Sequence, residues 1–337
     1  MFTKISPALR LFQIVLCLYA PSLIAEQSLP VETKTVSEES IQIESSLIDA
    51  EALFSLLDEP QSYVSSGING FIKGVDEFFS DEKILYETSG SYIRLTGDTV
   101  LNEGGDFGFV GDVRAKIALP NTQHKLKLVF ESDPDDGREN FERKIEDNPV
   151  DAAQDKSYFA GLEAVWGEFR YWHVKPGIGL KLRSGLDYFL RVRADRLYNI
   201  NKKWHAYLSD TLYWFNSSGY RFDASLEFDR KIEGDLLFRS ATFGGWKEEN
   251  DYWDLSQVFS LTQSLSDKRA LIYQAGVYGI SEPTVFATDY LLQIRYRKKL
   301  HSNYLFLELI PKIVYQREYD FEAEHSFTLR LEMVFKG

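Results

Sequence analysis

Several segments of this chain place charged residues at every second position, with apolar residues between them. Side chains that alternate in this way lie on one face of a β-strand. Guanidinium and carboxylate groups gathered on one face can pair with each other or line a pore for polar solutes. The residues that we expect to line such an interior are Arg191, Arg193, Asp195, Arg221, Asp223, Glu227, Asp229, Arg239, Arg295, Arg297, Arg330 and Glu332.

Two interpretations of these charges stay open. In the first, opposed charges create a transverse field that orients small solutes in a water-filled lumen. In the second, the charges pair off and fill a narrow interior, because a buried charge must find a partner. The sequence does not decide between an open and a filled lumen.

A catalytic constellation is the next possibility. His301, Ser302 and Asn303 are similar to the His, Ser and Asn elements of the outer-membrane phospholipase A family. That family has one residue between His and Ser and a Gly after Asn, whereas here the three are contiguous and Tyr304 follows. Contiguous side chains in a turn do not form a relay from base to nucleophile. We therefore expect no catalytic residue.

Metal and cofactor chemistry lack a motif as well. His124, His173, His205 and His325 have no second histidine at metal-ligand spacing. Cys17 is the single cysteine, so neither a disulfide framework nor a thiolate metal site is expected. No nucleotide-binding glycine motif is present in a suitable context. We expect no metal and no cofactor.

The elements that carry the alternating charges are long strands. Residues 220–229 and 327–335 each have one apolar and one polar face. Such segments run for about 10–14 residues, longer than the ~5–6 of soluble strands and suited to tilted membrane-crossing strands. Aromatic residues make up 15% of the chain, as aromatic girdles require. The sequence predicts an all-β fold, a transmembrane antiparallel up-and-down β-barrel.

We expect 14 strands, an even number that leaves both ends in the periplasm. Twelve is the alternative, because residues 166–183 are difficult to divide. The expected strands are 89–99, 107–119, 124–133, 157–165, 169–183, 186–199, 203–216, 219–230, 234–244, 251–263, 269–280, 286–299, 302–316 and 325–335.

The N-terminal part has a different character. Residues 1–25 have the order of a signal peptide: Lys4 and Arg10, a short apolar run at 11–18 and a small residue before Glu26. Residues 26–88 form an acidic periplasmic segment, with helical spacing at 41–57 and 61–79. These short helices could plug or cover the barrel or bind a partner, but docking on its periplasmic rim is favoured. The barrel is expected to occupy residues 89–337.

A family resemblance covers residues 60–337. Residues 305–311 (LFLELIP), the terminal strand 328–335, residues 76–79 (DEFF), strand 89–95 and Arg191-Val-Arg193 together resemble a family of uncharacterised proteobacterial outer-membrane β-barrel proteins. The resemblance implies an outer-membrane barrel and no known chemistry. The last strand is also similar to the signal read by the barrel-assembly machinery, although Lys336 and Gly337 follow its terminal aromatic residue.

These patterns lead to a functional expectation. We expect a porin-like channel of the outer membrane for small polar solutes. A non-conducting structural or assembly-partner barrel is the alternative, and a lipid-modifying enzyme comes third. The expected partners are outer-membrane lipid and lipopolysaccharide, the assembly machinery, and a periplasmic partner for residues 41–80. A net charge of −13 argues against nucleic acid.

Overall fold

The computed structural model describes residues 74, 75, 78, 91–119, 126–132, 158–164, 168–169, 172–182, 185–201, 203–232, 235–250, 252–301 and 304–336. The predicted signal peptide and the predicted helix at 41–57 lie outside the described residues. Within the predicted helix at 61–79, Gly74, Val75 and Phe78 are described, and their backbone is helical. No helix among the described residues is long and apolar enough to cross a membrane.

The strands of the described chain are β1 (Tyr92–Asn102), β2 (Phe107–Ala118), β3 (Leu126–Ser132), β4 (Tyr158–Ala164), β5 (Glu168–Phe169), β6 (Trp172–Leu182), β7 (Leu186–Asn199), β8 (Trp204–Phe215), β9 (Gly219–Ile232), β10 (Leu236–Lys247), β11 (Trp253–Ser266), β12 (Arg269–Ile280), β13 (Phe286–His301), β14 (Leu305–Gln316) and β15 (Ala323–Lys336). A single 3-10 turn, Arg317–Tyr319, lies between β14 and β15.

These strands form one closed antiparallel sheet. Apart from β4 and β5, each strand pairs with its neighbour in sequence; β15 pairs with β1, and β4 pairs with β6. The two residues of β5 pair with the start of β6, where β4 would otherwise continue, so β4 and β5 make one interrupted barrel strand. The barrel therefore has 14 strands, which confirms the predicted fold class. The segment that was difficult to divide, residues 166–183, contains the end of this interrupted strand and β6.

The even number of strands brings both ends of the sheet to the same end of the barrel. Tyr92, at the start of β1, pairs with Lys336, at the end of β15. We call this the terminal end. The opposite, loop end carries the long connection from β3 to β4, residues 133–157, which lies outside the described residues.

The two faces of each strand differ in the way that alternation predicts. In β7, Leu190 and Val192 are 52% and 46% exposed, whereas Arg191 between them is 8% exposed. Exposed apolar side chains recur on the same face of the other strands, among them Ile93, Val113, Leu128, Leu162, Ile178, Leu212, Phe259, Leu292, Leu329 and Met333. In a soluble protein the apolar face would be covered. Here it forms the outer surface, and the charged face lines the interior.

Aromatic residues border this apolar surface at both ends. Near the terminal end, the Arg196 guanidinium lies 4.4 Å from the ring of Tyr198, and the Arg230 guanidinium lies 5.2 Å from the ring of Trp204. At the loop end, Trp214 pairs with Tyr220 and Trp246 with Trp253. Two such girdles around an apolar band, on a barrel without free sheet edges, are the structure of an outer-membrane protein. The protein lies in the outer membrane.

Candidate functional site

The candidate site is the charged interior of the barrel. All of the residues that the sequence singled out lie on the inner face, either buried or half-buried: Arg191, Arg193 and Asp195 on β7, Arg221, Asp223, Glu227 and Asp229 on β9, Arg239 on β10, Arg295 and Arg297 on β13, and Arg330 and Glu332 on β15. The register of the strands divides them into three groups, each joined to residues that the sequence did not single out.

The first group is an alternating row of charges across four strands, here called the β13–β1 row. Arg297 on β13 is paired in register with Glu308 on β14, Glu308 with Arg330 on β15, and Arg330 with Asp98 on β1. Arg330 donates two hydrogen bonds to Asp98, of 2.8 Å from Nε and 2.7 Å from Nη2. Opposite charges directly across a strand pair stabilise the sheet. The row therefore ties the closing strands β15 and β1 together.

Glu308 is the centre of this row. Its side chain is fully buried, and it accepts hydrogen bonds from Arg295 Nη2 at 2.9 Å and from Arg297 Nη1. Arg297 Nη2 also donates to Glu332. A fully buried carboxylate with several guanidinium partners is compensated, whereas either charge alone would be strongly unfavourable there.

The second group, here called the basic cluster, begins with Glu163 on β4. Its carboxylate accepts from Lys116 Nζ on β2 at 2.7 Å and from Arg191 Nη2 on β7 at 2.9 Å. Neither partner is on a neighbouring strand. Gly177 on β6 is paired with both Glu163 and Arg191, and a Cβ atom at this position would lie 3.7 Å from Arg191 Nε. Arg191 thus passes Gly177 and reaches across β6 to Glu163.

Asp195 is the second carboxylate of the basic cluster. It accepts from Lys175 Nζ at 2.8 Å, from Arg193 Nε at 2.7 Å and from Ser209 Oγ at 2.7 Å. Lys127 lies on the same inner face and interacts electrostatically with the carboxylate of Glu163. The basic cluster thus holds more lysine and arginine side chains than carboxylates.

The third group is here called the acidic cluster, after its carboxylates on β9–β11. Arg239 on β10 forms a bidentate pair with Asp229, with distances of 2.7 and 2.9 Å, and its Nε lies 3.3 Å from Glu227. Arg221 Nε lies 3.0 Å from Asp223. Asp254 of β11 is also buried and belongs to this cluster: it pairs with Gly245, which in turn pairs with Asp223. Lys231 and Lys247 lie on the same inner face, so four carboxylates and four cations balance each other on β9–β11.

Aromatic residues line the interior of the barrel towards the loop end. Phe159, Phe189, Tyr213 and Phe215 are buried on the inner face, with ring centroids 5.1 to 6.3 Å apart. Lys181 Nζ lies 5.2 Å from the ring centre of Phe159 and 5.1 Å from that of Phe215. This geometry is that of a cation–π contact. The inner wall at the loop end thus combines aromatic rings with a lysine ammonium group that lies over two of them.

A residue of the N-terminal segment contacts the inner wall near the terminal end. Phe78 makes an edge-to-face contact with Phe306, with centroids 5.9 Å apart. The cationic groups of Arg297 and Lys299 each lie 5.9 Å from the Phe78 ring. Phe306 is buried and pairs with Glu332, so it belongs to the inner face. The contact places Phe78 against the charged wall of the lumen.

The sequence did not single out Glu308, Glu163, Lys116 or Lys175. Their partners are set by barrel register, and some lie two strands away, so spacing along the chain carries no signal for the pairing. Glu308 interrupts the apolar run at 305–311, and that interruption at an inward position was the available signal.

The structure brings no hydrolytic relay together among the described residues. His301 ends β13, and Ser302 and Asn303 lie outside the described residues. His205 is buried on the inner face, where its Nδ1 lies 2.7 Å from Asn199 Oδ1. No group of three or more potential ligand side chains in the described chain is placed to hold a metal ion.

Comparison with known proteins yields structural neighbours only. No protein-family profile matches the chain, and no curated protein matches it. A bacterial polysaccharide outer membrane secretin has a TM-score of 0.43 at 14% identity, covering 74% of this chain and 99% of that one. OpdK of Pseudomonas aeruginosa gives 0.41 at 8% identity, covering 74% and 99%. The KdgM porin in complex with disordered oligogalacturonate gives 0.36 at 7%, covering 72% and 99%. These scores and identities are too low to carry an argument. The fold and the location therefore rest on the strands of this chain itself.

Proposed function

We propose that the barrel is a porin-like channel that lets small polar solutes cross the outer membrane. The observation that carries the proposal is the uneven distribution of charge on the inner wall. On the inner wall at β2–β7 the described cations outnumber the carboxylates, whereas the two signs balance at β9–β11.

This uneven distribution has a physical consequence. A positive sector that faces a balanced one creates an electric field across the lumen, and low-dielectric walls concentrate it. A small solute with a dipole or with separated charges is oriented by such a field as it passes.

The second candidate is a non-conducting barrel that serves as a structural or assembly partner. Complete burial of Lys116, Arg297 and Glu308 favours it, since these side chains fill part of the lumen. The contact between Phe78 and the inner wall points in the same direction. A barrel closed in this way could present its N-terminal segment to a periplasmic protein.

Electrical recording from single refolded barrels in a planar bilayer separates the two candidates. We expect steady, ohmic current steps. Arg193→Glu in the basic cluster should shift the reversal potential in a salt gradient towards cations, and Glu227→Lys in the acidic cluster should shift it towards anions. The two positions are matched, because their side chains have similar exposures of 17% and 15%.

Each of these variants leaves the neighbouring pair in place. Asp195 keeps Lys175, and Arg239 keeps its bidentate contact with Asp229. Absence of current from the full protein, and from a variant lacking residues 26–80, would contradict the channel proposal. Current without a change of ion preference in either variant would show that the two clusters do not line the conducting path.

A further inference from the structure

Asp210 lies on the outer face of β8, in the middle of the strand. The preceding residue, Ser209, points inward, where its hydroxyl donates to Asp195. Successive side chains in a strand point to opposite faces. Asp210 therefore shares the outer face with Leu212, which is 48% exposed.

This position is exceptional in the described barrel. Of the aspartates and glutamates whose side chains are described on the strands, the others lie on the inner face. The outer-face cations Arg196, Arg230 and Lys298 lie close to the terminal end, where long side chains reach the membrane interface. Asp210 is short and central, and no part of the chain that the structure describes donates a hydrogen bond to its carboxylate.

Further polar groups lie on the outer face two and three strands away. Thr242 on β10 donates to Gln257 Oε1 on β11 at 2.6 Å, and Gln257 Nε2 donates to Ser240 Oγ at 2.9 Å. Thr242 and Gln257 are paired in register, and Gln257 lies two residues before Phe259, an exposed outer residue. All of them are near the middle of their strands. We call Asp210, Ser240, Thr242 and Gln257 the outer polar patch.

The surface around the patch is suited to close approach. Ala194 and Ala224 flank Asp210 directly on the neighbouring strands. Small residues let backbones come together within a membrane. Beside the patch, a groove of about 670 Å³ crosses the outer face, lined chiefly by apolar residues that include Phe238, Phe259 and Tyr273. The outer polar patch thus adjoins an apolar groove.

Lipid chains cannot satisfy this surface, because they neither donate nor accept hydrogen bonds. Polar residues at membrane depth generally face another protein element. We propose that the outer face of β8–β11 binds a second copy of this chain, with Asp210 of one copy accepting hydrogen bonds from the Ser240 hydroxyl and the Gln257 amide of the other.

Self-complementarity and depth identify the second copy as the partner. The patch contains both an acceptor, Asp210, and the donors Ser240 and Gln257. Copies inserted in the same direction are related by an axis along the membrane normal, so groups at the same depth meet. The four residues meet this condition, since all are near mid-strand. The inference depends only on the membrane location and is independent of conduction through the lumen.

The first test uses Asp210→Leu, a change that suits a lipid-facing position and should not impair insertion. Full-length protein extracted from membranes into lipid nanodiscs is weighed by native mass spectrometry. We expect an oligomer of the wild type and at least about a tenfold loss of self-affinity in the variant, as removal of one or two membrane hydrogen bonds implies. Retention of the oligomer in Asp210→Leu would overturn the inference.

The second test is disulfide cross-linking in a Cys17→Ser background, which has no other cysteine. Ala224→Cys, at the centre of the proposed interface, should form a dimer of the chain upon oxidation in native membranes. Ala160→Cys is the matched control, because it lies on the outer face of β4 next to exposed Phe130. Equal cross-linking at the two positions, cross-links only to a different protein, or a wild type that is monomeric would each overturn the proposal.

Discussion

Removing the charge of Glu308 is expected to destabilise the barrel more than removing the charge of any half-buried lumen carboxylate. Glu308→Gln keeps the size of the side chain and leaves Arg295, Arg297 and Arg330 with one carboxylate fewer. Glu308 is completely buried, and its nearest partners are at hydrogen-bonding distance. Breaking a buried ion pair by removing one partner costs about 3–5 kcal/mol. We expect a loss near the lower limit, about 3 kcal/mol, because the amide oxygen of glutamine still accepts a hydrogen bond.

The measurement is urea unfolding of the barrel in phospholipid vesicles, followed by tryptophan fluorescence. Glu227→Gln is the matched control. Its side chain is 15% exposed, and its partner Arg239 retains the bidentate contact with Asp229. Loss of a partly solvated pair of this kind costs about 1 kcal/mol or less. The difference in the free energy of unfolding between the two variants thus measures how far water is excluded from the surroundings of Glu308.

A compensating variant checks the cause. If the loss in Glu308→Gln comes from an uncompensated positive charge, Arg295→Gln in the same molecule should restore part of the stability, by about 1 kcal/mol, the usual size of coupling between contacting residues. Equal losses for Glu308→Gln and Glu227→Gln, or no recovery in the double variant, would refute the description of a desolvated charge row. Such a result would indicate water around Glu308 and would favour an open lumen.

Two further predictions concern the walls and the terminal end of the lumen. Gly179→Ala should lower the free energy of unfolding by about 1–3 kcal/mol, as overpacking does. A Cβ atom at this position would lie 2.8 Å from the ring of Phe189 and 2.6 Å from the carbonyl oxygen of Ala160. Gly185→Ala is the control in the same urea titration, because a Cβ atom there meets nothing within 4 Å. Phe78→Ala should increase single-channel conductance, because it removes a ring from the inner wall near the terminal end; unchanged conductance would show that Phe78 does not restrict the path.

The strands were predictable because the membrane reverses the usual pattern of burial. A closed barrel explains alternation of apolar and charged residues over ten or more positions, because it pairs the backbone groups and turns the charged face away from lipid. The expected count of 14 strands is confirmed, although an even number alone had left 12 open as well. Prediction was least accurate around residues 165–171, where β4 ends, β5 pairs for two residues and β6 begins. A strand interrupted in this way gives no clean alternation.

The partners within the lumen were not predictable in the same way. Arg191 was recognised as an inward residue from its own segment, but its partner Glu163 lies on the far side of β6. Gly177 lies between the two residues in register, and this relation is visible only once the register is known. Asp210 illustrates the opposite case. Its position among Ala206, Leu208 and Leu212 marks it as outward from sequence alone, yet its significance requires a barrel in which the other described carboxylates point inward.

The charge distribution links the stability of the barrel to its proposed function. Ion pairs of the β13–β1 row are balanced and fully buried at Arg297 and Glu308, so this row has the character of a structural element that joins the ends of the sheet. In the basic and acidic clusters, by contrast, Arg193 and Glu227 keep partial exposure. The inner wall therefore divides into a sector that holds the barrel closed and two sectors whose partly exposed charges can meet a passing solute, and variants of Glu308 and of Arg193 should affect stability and ion preference separately.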